Sequence, residues 1–63
     1  MLEQAMLAEQ FQALLRGERQ ALRLYGDLAA KVTDPKAQQQ LQRLLRDKQR
    51  HVRLAERLLE IVQ

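Results

Sequence analysis

The chain contains no cysteine, no tryptophan and no serine, and its only threonine is Thr33. It has one proline, two glycines, and two aromatic residues, Phe11 and Tyr25. Without cysteine there is no disulfide framework and no thiolate metal site. Without serine or cysteine, and with threonine confined to a turn, covalent hydroxyl or thiol catalysis is excluded. No apolar run approaches the ~18 residues that a membrane span requires. The start, Met1-Leu2-Glu3-Gln4, lacks the basic segment and apolar stretch of a secretory signal. A cytoplasmic protein with no membrane partner is expected. At 63 residues the chain buries little surface, so stability must come from association or from a metal held by His and carboxylates.

What is present favours helix. Leu, Ala and Gln dominate and β-branched residues are few. The strong breaker is Thr33-Asp34-Pro35, in which Asp34 suits an N-cap and Pro35 the first helical position. The expectation is one all-α domain, 1–63: a helix over about 2–32, a turn at 33–34, and a helix over about 35–62. Gly17 and Gly26 fall inside the first helix, where each costs about 1 kcal/mol relative to Ala. They suit a close backbone approach or a mild bend. Gln38-Gln39-Gln40 reads as an exposed helical patch.

Apolar residues recur at alternating spacings of four and three. In the first helix the line runs Leu7, Phe11, Leu14, Glu18, Ala21, Tyr25, Leu28, Val32; in the second it runs Ala37, Leu41, Leu44, Lys48, His51, Ala55, Leu58, Val62. Such a repeat marks a coiled-coil or bundle seam. Leu15, Leu22, Ala29, Leu45, Val52 and Leu59 widen the stripe beyond what one partner helix covers. An antiparallel hairpin that homodimerises into a four-helix bundle, or forms a larger even assembly, is therefore expected.

Glu18, Lys48 and His51 interrupt this seam at similar distances from the turn, so antiparallel pairing brings them to one level. Lys48 and His51 are three residues apart and share a face. Tyr25 is placed to direct its hydroxyl into the same layer. Buried charges must be paired or bound to a metal, and a layer that breaks its own pattern is where function concentrates.

The arrangement resembles the ferritin-like superfamily. Gly17-Glu18-Arg19-Gln20-Ala21 with Tyr25 is similar to the first metal helix of rubrerythrin-like di-iron carboxylate proteins. Asp47-Lys48-Gln49-Arg50-His51 is similar to the second, where the family carries Asp-Glu-x-x-His. The resemblance covers about residues 14–62 and implies a half-bundle that pairs to hold two irons, with Glu18 and His51 as ligands. The departure is Lys48, which replaces a bridging carboxylate. In a pair of hairpins, two Glu18 and two Lys48 balance with no metal. Two added divalent ions leave about four uncompensated positive charges in a low-dielectric layer, and an ammonium cannot ligate. The expectation is a degenerate di-iron site, no cofactor, and a structural or interaction module instead of an enzyme. The alternative is a metal-binding oxidoreductase or iron-handling protein using Glu18 and His51 with di-iron or another divalent metal, Asp47 being the nearest further carboxylate.

Eleven basic against eight acidic residues give a net +3, and the excess falls in residues 33–63. Arg43, Arg46, Arg50, Arg53 and Arg57 form a row opposite the seam, with Asp47, Glu56 and Glu60 spaced to pair with several of them. The row reads as a solvated face. Binding of an anion or nucleic acid through it is a weaker alternative, because the net charge is modest and no aromatic residue on that face can stack on bases.

Overall fold

A computed structural model describes residues 2–63, and side chains from residue 3 onward. Met1, counted in the expected domain, lies outside the described residues. Two α-helices, α1 (Leu2–Lys31) and α2 (Pro35–Val62), pack antiparallel as a hairpin measuring 51 × 14 × 10 Å.

The turn forms as its residue types dictate. Asp34 has an extended backbone (φ −64°, ψ 127°) and its carboxylate accepts from the Ala37 N–H at 2.9 Å. Pro35 follows at the first position, where a missing N–H is harmless. At the other end of the turn α1 has no glycine cap, and no described residue has positive φ. The carbonyl of Ala29 in its last turn and that of Val32 just beyond it are satisfied from the next helix instead. The Gln38 amide donates to the carbonyls of Val32, at 2.9 Å, and Ala29. Gln38 is thus a half-buried cap for the preceding helix, and only Gln39 and Gln40 match the expected exposed patch. At the open end the Gln4 amide donates to the Val62 carbonyl at 2.7 Å, tying the helix ends together.

The contact line between the helices keeps about every second residue of the expected seam, among them Phe11, Glu18, Tyr25, Leu41, Lys48 and Ala55, and takes the following residue at Leu14, Leu28, Leu44, His51 and Leu58. Leu15, Val52 and Ala55 form the buried cluster, with Leu22 and Leu59 packed on it and Ala29 buried nearer the turn. Leu7, Leu14, Leu28, Leu44 and Leu58, expected in the seam, remain 39–48% exposed. At two of the shifted places the inner line takes a more compact residue, Ala29 in place of Leu28 and Val52 in place of His51.

The leucines left outside share one side of the hairpin. A groove of about 240 Å³ between the helices is lined by Leu14, Glu18, His51, Leu54, Ala55 and Leu58. Seven-residue spacing carries the same side along α1 to Leu7 and Leu28 and along α2 to Leu44. The hairpin exposes 5138 Å², against about 4,200 Å² for a compact monomer of this mass.

Candidate functional site

The polar layer sits midway along the hairpin, where α1 supplies Glu18 and α2 supplies Lys48 and His51. Glu18 and Lys48 continue the inner contact line that includes Leu15 and Val52. The Lys48 ammonium lies 3.2 Å from Glu18 Oε2, and the two side chains are 23% and 19% exposed. His51 Nδ1 lies 3.4 Å from the same oxygen. The structure therefore brings together the three residues that the spacing placed on one level.

The contacts are electrostatic more than directional. Glu18 Oε2 is shielded from solvent, yet neither nitrogen is aligned to hydrogen-bond with it. A shielded carboxylate oxygen in that state is poorly satisfied and draws its stabilisation from the adjacent ammonium. Tyr25 is half-buried two turns nearer the turn of the hairpin, and no described hydrogen bond joins it to the layer. His51 is more open than a seam residue. Its side chain is 44% exposed and it lines the groove beside Leu14 and Leu54. It flanks the inner line because Val52, not His51, faces α1. Within one hairpin the layer is thus half-buried, open through His51 toward the exposed leucine side.

Asp47 does not join it. Its carboxylate lies 3.7 Å from Arg50 in an exposed pair on the surface of α2. Among the described residues no three His, Asp or Glu side chains converge closely enough to hold a metal ion. Glu18 and His51 offer two donors, and the ammonium of Lys48 stands where a third would be needed. The donors of one hairpin do not fit the di-iron group that the resemblance implies.

The arginine row of α2 is exposed as expected, but Asp47–Arg50 is its one ion pair within 4 Å among the described residues. Exposed pairs contribute little, so the remaining arginines stay solvated and uncompensated at close range. No described helix is long and apolar enough to cross a membrane. Comparisons with protein-family models, curated proteins and solved structures give no match to this chain.

Proposed function

We propose that the hairpin is half of a ferritin-like four-helix bundle, in which two copies pair through the leucine side and enclose a metal-free Glu18–Lys48–His51 layer. The protein then serves as a structural or interaction module. The observation that carries this reading is the open apolar side. Five large leucines, Leu7, Leu14, Leu28, Leu44 and Leu58, lie 39–48% exposed on that side. The exposed leucines lie where a second hairpin would cover them and where His51 opens toward it. Between two copies, Lys48 supplies the positive charge that a metal brings to bundles of this class, and it fixes register, the best-attested use of a buried polar group.

Sedimentation tests the assembly: the expected mass is twice the 7.4 kDa of one chain. The double variant L14E/L58E should sediment as a single chain. A wild-type monomer at 100 μM would remove the bundle. Metal analysis of protein purified without chelator tests the layer. Near-stoichiometric iron, manganese or zinc that is lost on Glu18→Ala would replace the metal-free reading with a metal-binding one. One observation favours that second reading: Glu18 Oε2 lacks an aligned donor beside an accessible imidazole. Pairing brings two such sets together.

A further inference from the structure

Charge along this chain is segregated in a way that only folding reveals. Residues 16–23 and 43–53, the two middle stretches, contain eight of the eleven basic and two of the eight acidic side chains. The middle is therefore +6 and the two ends together −3. Both acids of the middle are already engaged, Glu18 by Lys48 and Asp47 by Arg50.

The arginines also share a side. In each of the runs Leu14-Leu15-Arg16, Ala21-Leu22-Arg23, Leu44-Leu45-Arg46 and His51-Val52-Arg53, the central residue faces the other helix. The preceding residue flanks the contact line on the leucine side, as the groove beside Leu14 and His51 shows. The following residue, 200° further round than the first, must flank it on the opposite side. Arg19 lies on that side as well. In the register that sets Glu18 against Lys48, the order toward the turn is Arg53, Arg16, Arg19, Arg46, Arg23. Five arginines from two helices thus form one ladder about 15 Å long. All five are exposed, and none makes an ion pair within 4 Å among the described residues.

We propose that this ladder is a docking surface for the phosphate backbone of a nucleic-acid duplex. A duplex carries one charge per about 1.7 Å counting both strands, so about nine phosphates fall within the length of the ladder. Guanidinium groups pair with phosphate oxygens in two-toothed fashion. Both aromatic side chains, Phe11 and Tyr25, are half-buried at the helix contact. With no ring available for stacking, a single strand gains no advantage over a duplex and base sequence is not read. An anionic membrane fits less well, because the ladder and the leucines face opposite ways and cannot enter one bilayer surface together. The surface belongs to the single hairpin and is independent of pairing. In a dimer closed through the leucines, both ladders point outward.

The test is fluorescence anisotropy with a labelled 20-base-pair duplex of arbitrary sequence, over 50–200 mM salt. If all five arginines engage phosphates, log Kd should rise with log salt with a slope of about 4.5. The variant R16Q/R23Q/R46Q should bind at least tenfold more weakly, with a slope shallower by about 3. A control with the same charge change outside the ladder, K31Q/K36Q/R57Q, should lose less than threefold. Circular dichroism confirms that both variants remain helical. No binding at 50 mM salt, or equal losses in the two triple variants, would overturn the proposal. So would tighter binding to single-stranded DNA of the same length. Equal competition by poly-glutamate or by phosphatidylserine vesicles at matched charge would overturn it too.

Discussion

Replacing Lys48 by methionine keeps an unbranched apolar stem along the inner contact line and removes the ammonium 3.2 Å from Glu18. The expected loss can be bracketed. Breaking a fully buried pair by removing one partner costs about 3–5 kcal/mol, and breaking an exposed pair costs about 0–1 kcal/mol. Here both side chains are roughly four-fifths covered and Glu18 Oε2 is shielded without an aligned donor. A loss of about 2 kcal/mol follows from interpolating between those limits. For a chain this short each kcal/mol moves the melting temperature by about 8 °C, so the Lys48→Met midpoint should fall by roughly 15 °C. The double variant E18L/K48L should behave differently. With both charges gone, the line from Leu15 to Leu22 becomes continuous and stability should equal or exceed the wild type, by up to about 4 kcal/mol. The assay is thermal and urea unfolding followed by far-UV circular dichroism, at one protein concentration because any assembly would contribute to apparent stability. A Lys48→Met midpoint within 2 °C of wild type would refute the argument. So would a double variant whose loss equals the sum of the losses of Glu18→Leu and Lys48→Leu alone, since the two side chains would then not be coupled.

Two further outcomes concern the backbone. A Cβ at Gly17 meets nothing within 4 Å, and one at Gly26 meets only Leu45 Cδ2 at 4.0 Å. Each change to alanine should therefore stabilise the hairpin by about 0.5–1 kcal/mol in urea unfolding. Destabilisation by Gly26→Ala would show that the helices sit closer there than described, and a Gly17→Ala variant that melts higher but dimerises less would place the partner's backbone at Gly17. At the turn, Asp34→Ala removes the cap of α2 and should cost about 1 kcal/mol. Gln38→Ala frees the carbonyls of Ala29 and Val32 at the end of α1 and should cost about 1–2 kcal/mol; a neutral Gln38→Ala in the same melts would show that water caps α1 equally well.

The punctuation of the fold was legible because it is local. Thr33-Asp34-Pro35 carries cap, first-turn proline and stop within three residues, and the turn forms there. The common level of Glu18, Lys48 and His51 followed from counting outward from that turn. The rotation of each helix about its axis was not legible. Leu14-Leu15, Leu44-Leu45 and Leu58-Leu59 are doublets, and either member satisfies the same repeat. Periodicity cannot choose between two leucines 100° apart. The choice between them is a matter of packing across the two helices, which places Leu15, Leu45 and Leu59 inward. The arginine ladder was hidden for a related reason. Counting by sequence halves assigned the positive excess to residues 33–63, whereas the register of the hairpin lays Arg16, Arg19 and Arg23 among the arginines of α2. Gln38 was missed because its partners lie across the turn on the other helix.

The short turn also governs which kinds of exchange between copies are open. A hairpin with a flexible connection can straighten into one long rod and trade its second helix with a neighbour, a route to swapped dimers and to open-ended chains. Here straightening would carry Pro35 into a helix interior, where its ring meets the carbonyl of Lys31 and one hydrogen bond is lost, at about 3 kcal/mol or more. The same motion would break the bonds from Gln38 to Ala29 and Val32. In a swapped pair every one of these losses occurs twice. The single proline thus disfavours trading α2 between copies, so that any association of this chain would be one of intact hairpins.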